Sequence, residues 1–251
     1  MTPAAWAGND DPCRAPAELV AIGGDLPHLA AALADGEPVT IVALGSSSTQ
    51  GAGASSKQAC YPARLEAELR KRFPGKSISV VNMGIGGQLA GDMVARIGKQ
   101  VLPLKPQLVI WQTGVNDPLR GVALDAFRGE VLEGLKLLRG ADADVVLLDQ
   151  QFYPKSAALP AYGRFVSALA DISGEQEVPL MRRYAIMQHL VSSEQYRIAD
   201  MLSPDGFHQN DEGYRCLGAL MAEAIGRAVR PAPAVERPIL HKASAGALPG
   251  R

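Results

Sequence analysis

Short apolar runs and helix-period stretches alternate along almost the whole chain. Strand-type runs stand at Thr40–Leu44, Ile78–Asn82, Leu108–Gln112, Val145–Asp149 and, more weakly, Val178–Arg182. Between them lie helix-period stretches at Ala63–Arg72, Asp92–Val101, Leu124–Arg139 and Tyr162–Ser173. A last helix over Asp211–Val229 puts Tyr214, Leu217, Met221, Ala224, Ile225 and Ala228 on one stripe, with Asn210 placed to cap its start. Apolar strands joined by connections long enough for a crossover helix predict a parallel sheet covered on both faces. The expected fold class is α/β: a three-layer α/β/α arrangement around a five-stranded parallel sheet of flavodoxin-like order 2-1-3-4-5. Ligands of such sheets sit beyond the carboxyl ends of the strands, near the point where the strand order reverses. The segments that follow each strand are therefore the ones that can carry chemistry.

Composition supports one large core and excludes several partners. Hydrophobic residues make up 47% of the 251, and 25 basic against 26 acidic residues leave a net charge of −1. That balance argues against a nucleic-acid footprint, and no apolar run approaches the ~18 residues of a membrane span. Cys13, Cys60 and Cys216 lack zinc-ligand or Cys-x-x-Cys spacing, so no metal or redox cofactor is implied. Residues 1–39 read as a leader with one helix near Leu26–Leu33, residues 40–229 as the α/β domain, and the Pro- and Ala-rich 230–251 as a disordered tail. Ala5-Trp6-Ala7 resembles the small-residue end of a signal peptide, although no charged and apolar region precedes it. The reading leans to a periplasmic or secreted protein, in which Cys13 would pair with Cys216; an Ala-rich cytoplasmic leader is the alternative. Nothing in the chain indicates an oligomeric state.

Four segments carry candidate chemistry. After the first strand comes Gly45-Ser46-Ser47-Ser48-Thr49, where a serine on a tight strand-to-helix turn can act as a nucleophile. Any of the three serines could hold that role, and Thr49 breaks the G-x-S-x-G pattern. After the second strand comes Asn82-Met83-Gly84-Ile85-Gly86-Gly87, whose glycines leave backbone N–H groups open to an anion. It fits a dinucleotide fingerprint poorly, because Leu89 stands where Gly or Ala is wanted. After the third strand, Asn116 of Thr113-Gly114-Val115-Asn116-Asp117 can aim its amide at a developing oxyanion. A serine nucleophile also needs a base. His28 and His241 lie in the leader and tail and His189 within a helical stretch, which leaves His208 in Ser203-Pro204-Asp205-Gly206-Phe207-His208. A turn there can bring the Asp205 carboxylate onto one imidazole nitrogen and leave the other for serine.

Taken together, these blocks resemble the SGNH (GDSL-type) hydrolase family of serine esterases, from about Thr40 to Ile225. The resemblance matches Gly45-Ser46-Ser47-Ser48-Thr49 to the family's Gly-Asp-Ser-x-Thr block and so implies Ser47 as nucleophile. It implies Gly87 and Asn116, with the Ser47 N–H, as the oxyanion hole, and His208 as base oriented by Asp205. Ser46 stands in place of the block's usual Asp, and Gly86 where many members carry Ser. The implied activity is hydrolysis of short acyl esters, above all acetyl, on a small molecule or a saccharide, without cofactor or metal. Lysophospholipase or thioesterase activity, or acyl transfer to a sugar, would use the same residues. A non-catalytic carbohydrate-binding relative would be expected to lack a triad member, and none is missing. The absence of an apolar lid segment favours the short acyl group. Gln112, Gln150, Gln151 and Tyr153, beyond strands 3 and 4, are candidates to contact a sugar.

Overall fold

The computed structural model describes residues 11–229. The expected tail at 230–251, the His241 within it and the Ala5-Trp6-Ala7 sequence lie outside the described residues. In chain order the elements are α1 (Ala17–Val20), α2 (Pro27–Asp35), β1 (Val39–Gly45), α3 (Ser47–Gln50), α4 (Tyr61–Arg72), β2 (Ile78–Gly84) and α5 (Ala90–Arg96). There follow β3 (Leu108–Gln112), α6 (Asn116–Leu119), α7 (Leu124–Arg139), β4 (Asp144–Leu148) and α8 (Pro160–Glu175). The chain continues through β5 (Leu180–Met181), α9 (Arg183–Ser192) and α10 (Ile198–Met201) to α11 (Asp211–Ala228). All strand pairs are parallel, in the order β2-β1-β3-β4-β5.

Alternate residues of each strand feed two cores. Ile41, Ala43, Leu108, Ile110, Val146 and Leu148 face α4, α9 and α11; Val42, Leu44, Val109, Trp111, Val145 and Leu147 face α5, α7 and α8. The central strands β1, β3 and β4 are buried on both faces and so read as nearly unbroken apolar runs, whereas β2, at the edge, is only partly covered. Two elements depart from the periodicity. The stretch expected to be one helix over 92–101 is α-helical only to Arg96 and closes with a π-helical turn over Ile97–Val101. The fifth strand is two residues long, because only Leu180 and Met181 pair with β4.

The segment before Val39 packs against the domain. Val20, Ile22, Leu26, Leu29 and Leu33 are buried in the first core, and the Ile22 carbonyl accepts from the Leu180 N–H over 2.8 Å. The Asp144 carboxylate accepts from His28 N and Leu29 N and caps α2. Farther upstream, Cys13 is disulfide-bonded to Cys216 on α11 across 203 residues, with a Cα–Cα distance of 5.5 Å. Asp11 and Arg215 pair beside it. Cys60 is free and buried.

A cross-link closing so long a loop restricts the unfolded chain, by typically about 2–4 kcal/mol. Unreduced protein in denaturant is therefore expected to titrate one free thiol, and reduction or Cys13→Ser to lower unfolding stability by about that amount. Three free thiols without reductant would refute the bridge.

Candidate active site

The register of the sheet sets the site. Gly45 of β1 lies opposite Gly84 of β2, and Leu44 opposite Trp111 of β3, so the three strands release their chains at one edge. The strand order reverses around β1, where such sheets bind ligands.

Beyond β1 the chain turns at once into α3. The Ser46 carbonyl accepts from Thr49 N and Gln50 N, and the Ser47 carbonyl from Gly51 N and Ala52 N. This turn sorts the three serines. Ser46 is buried, with its hydroxyl and its backbone N–H both donating to Gln112 Oε1 over 3.0 Å. Ser48 is buried, with its hydroxyl donating to Gln151 Oε1 over 3.2 Å. Ser47, half-buried, directs its hydroxyl at His208.

His208 arrives from the loop before α11. Ser203 N donates to the His208 carbonyl over 2.8 Å and Asn210 N to the Met201 carbonyl, which pins the loop as a narrow hairpin. The Asn210 side chain accepts from Glu212 N and Gly213 N and starts α11, as the sequence predicts. Within the loop, Asp205 Oδ1 accepts from Ser203 Oγ, Phe207 N and His208 N at 2.7–2.9 Å. Its Oδ2 accepts from His208 Nδ1 over 2.6 Å, and the Ser47 hydroxyl donates to His208 Nε2 over 2.9 Å. Burial raises the Asp205 pKa, but the hydrogen bonds from His208, Ser203 and the two backbone N–H groups outweigh it and hold the carboxyl well below the usual carboxylate range. An ionised carboxylate only accepts, so Nδ1 carries the proton and Nε2 is left to accept. Phe207 and His208 meet ring edge to face at 4.7 Å, and Tyr153 backs Phe207 at 4.8 Å. At Gly53, with φ of +87°, a Cβ would lie 2.4 Å from the Gln209 carbonyl and 3.0 Å from His208 Cβ. Only glycine lets the loop after α3 pass this close beneath the histidine.

The turn after β2 lies on the other side of Ser47. Ile85 N donates to the Gly45 carbonyl, and a Cβ at Gly86 would stand 3.9 Å from Ser47 Cβ. Gly87 has φ of +78°. Asn116, at the start of α6, donates one amide hydrogen to the Gln88 carbonyl over 2.8 Å, which leaves its second for another acceptor. The Ser47 and Gly87 N–H groups have no partner among the described residues. The arrangement can take a proton from a serine hydroxyl, pass it on, and offer N–H donors to an anion beside that hydroxyl.

The residues expected to contact a sugar do not face outward. Gln112, Gln150 and Gln151 are fully buried, and Tyr153 nearly so. Gln112 holds the turn at Ser46 and also accepts from Thr49 Oγ1, Gln150 donates to the Gly114 carbonyl, and Gln151 anchors Ser48. The correction has a simple cause: backbone groups past the end of a buried strand lose their ladder partners, and inward side chains must replace them. Sequence reasoning missed Arg96, Gln88 and Phe207, all in contact with the site. An arginine amid the apolar residues Met93, Val94 and Ile97 was the visible signal for the first. Among the described residues no group of three or more His, Cys, Asp or Glu is placed to hold a metal ion.

Comparison with known proteins finds esterases among the chain's relatives. An arylesterase of Vibrio mimicus is 24% identical over 156 residues, 60% of this chain and 72% of that protein. An acetylxylan esterase of Geobacillus stearothermophilus is 30% identical over 132 residues, 44% of this chain and 58% of that one. Among solved structures, a two-domain esterase active on acetylated mannans shares the fold with a TM-score of 0.66 at 23% identity, covering 89% of this chain but 58% of the other. The chain thus spans less than two thirds of these last two proteins. The model of the non-GDSL lipase-like family matches residues 12–231, and Ser46 stands where the GDSL block has its aspartate. With the five-stranded parallel sheet and its flavodoxin-like order already established, that match places the chain in the non-GDSL lipase-like family of SGNH-type ester hydrolases.

Proposed function

We propose that the protein is a serine esterase that hydrolyses acetyl and other short acyl esters, including those borne by saccharides, with Ser47 as nucleophile. The observation that carries this reading is the unbroken series of hydrogen bonds from Asp205 through His208 to Ser47, at 2.6 and 2.9 Å. Ser47 Oγ attacks the ester carbonyl carbon as its proton passes to His208 Nε2. The negative charge that develops on the carbonyl oxygen is met by the Ser47 and Gly87 N–H groups and the free amide hydrogen of Asn116. Asp205, kept ionised by its four donors, stabilises the imidazolium. His208 then protonates the leaving alcohol, leaving the acyl group on Ser47. Water repeats the sequence: His208 takes its proton, its oxygen attacks the acyl carbon, and Ser47 leaves with the proton returned. The acetyl preference is supported by the relative named as an acetylxylan esterase and by the fold shared with an esterase of acetylated mannans.

A second reading, cleavage of longer acyl chains, has its own observation. Ile85, Leu119 and Leu159 are 42%, 44% and 38% exposed, and they stand on the segments that follow β2, β3 and β4. Apolar side chains on that edge could cover methylenes, at about 0.8 kcal/mol each.

The three serines separate by mutation. Ser47→Ala is expected to lower hydrolysis of a chromogenic acetate ester by several orders of magnitude. Ser46→Ala and Ser48→Ala each remove one inward hydrogen bond, costing about 0.5–1.5 kcal/mol of stability and leaving most of the activity. Full activity in Ser47→Ala would end the assignment.

The pH profile follows from Asp205. Because its carboxyl titrates below the usual range, it stays ionised across the mildly acidic region. Protonation of Asp205 should therefore add no limb to kcat/KM across that region. Asp205→Asn should cut kcat severely, because an amide favours the wrong tautomer. An Asp205→Asn variant with the native rate and profile would contradict the pairing.

Chain-length preference is read from kcat/KM across chromogenic esters from acetyl to dodecanoyl, with acetate release from acetylated oligosaccharides alongside. The expected result is a maximum at or near acetyl with acetate released. Efficiency climbing beyond hexanoyl, with no acetate from sugars, would favour the apolar-edge reading.

A further inference from the structure

Arg96 lies at the end of α5 with 6% of its surface exposed, among apolar neighbours. A buried guanidinium must spend its donors on acceptors, and the acceptors here are a selected set. Nη2 donates to the Met83 carbonyl over 2.6 Å and to the Gly45 carbonyl over 3.3 Å, and Nε donates to Gln88 Oε1 over 2.8 Å. Gly45 ends β1 and leads into the Ser47 turn; Met83 and Gln88 lie on either side of the turn that carries Gly87. The carbonyl of the same Gln88 receives the Asn116 amide over 2.8 Å. One cationic fork thus ties together the ends of two strands and the residue on which Asn116 rests.

We propose that Arg96 is a positioning residue for the oxyanion hole: by holding both ends of the 83–88 turn it fixes the Gly87 N–H and, through Gln88, the direction of the free Asn116 amide hydrogen. This rests on the esterase reading given above. A lysine would keep the charge but could not span the three acceptors, since it lacks the planar fork. The interaction it supports is formed in the transition state, so its loss belongs in kcat rather than KM.

The test uses Arg96→Lys and, because Arg96 is buried, also Gln88→Met, which removes only the side-chain acceptor in the turn. Each is made alone and in an Asn116→Ala background. Hydrolysis of a chromogenic acetate ester is normalised to active sites titrated with a fluorophosphonate. Both variants are expected to lower kcat by about 10- to 100-fold with KM unchanged within about twofold. In the Asn116→Ala background, the further loss should be smaller, because only the share carried by the Gly87 N–H remains to be lost. A kcat per titrated site equal to the native value in both variants, a change confined to KM, or an equal loss in the two backgrounds would overturn the proposal. Ser47→Ala and Asn116→Ala alone report on the esterase reading. If they behave as that reading requires while the Arg96 and Gln88 variants do not, only the positioning role fails. An Asn116→Ala variant with native kcat would instead remove the oxyanion assignment and the positioning role with it.

Discussion

Each strand of a parallel sheet ends with carbonyl and N–H groups that lose their ladder partners, and in this protein the ends of β1, β3 and β4 are buried. Leaving such a group unpaired costs about 1–3 kcal/mol, so the edge of the sheet that could hold a site must first be satisfied from within. The chain meets this demand with long polar side chains directed inward. Arg96 covers the Gly45 and Met83 carbonyls, Gln112 the Ser46 N–H, and Asn82 the Thr49 carbonyl. Gln150 covers the Gly114 carbonyl, and the buried Arg183 covers the Asp149 carbonyl with two donors. Ser47 and Asn116 stand on a platform of such contacts, and their neighbours in sequence Ser46, Ser48, Val115 and Asp117 are buried.

The same balance of burial against hydrogen bonds separates two carboxylates. Asp149 lies at the end of β4, fully buried; burial pushes its pKa up to about 7, against the opposing effects of the Tyr184 N–H and the Arg183 charge. Its folded value lies above the unfolded one, so the neutral form is favoured in the native state, and that contribution to stability fades as pH rises from about 4 toward 7. Asp205 lies in an open turn with enough donors to stay ionised. A carboxylate paired with an imidazole must be charged to stabilise the imidazolium, and only the second environment provides that near neutrality.

The fold was legible wherever burial on both sides forced a simple pattern. Leu108–Gln112 and Leu124–Arg139 have the bounds read from periodicity, and the pairing is parallel throughout, as long crossover connections require. Residues 1–39 read as a leader because the residues buried within 11–38 are spread among Ala, Gly and Pro, and the partners that bury them, such as Leu180, lie far away in sequence. In the site, Asp205 and His208 were read as a pair because, with His28, His189 and His241 set aside, no other histidine was placed to serve as a base; the structure puts Asp205 Oδ2 2.6 Å from His208 Nδ1. Ser47 was not separable from Ser46 and Ser48 by residue type; it took the family resemblance to select it, and the structure displays the physical difference as the direction of three hydroxyls. Gln112 and Gln150 misled for the complementary reason: polarity is visible in a sequence, but the side of the sheet end to which a long amide points is not.

A hydrogen bond between residues 161 positions apart needs more than two well-made loops, because each loop could be ordered and the pair still displaced. Here a third segment joins them. The chain leaving the Ser47 helix does not return directly to the core; it crosses the loop that carries His208. Tyr214 on α11 donates its hydroxyl to the Ala52 carbonyl over 2.7 Å, the Ser55 N–H donates to Asp211, and Gly53 lies against Gln209 and His208. The segment that begins at the Ser47 turn is therefore fastened to the helix that begins just after the histidine. Since Cys216 on that helix is also bridged to Cys13, α11 is held from both directions. The 2.9 Å between Ser47 and His208 is thus set by α11 and the 51–55 segment together, and a displacement of either loop would have to break these contacts before it could part the two side chains.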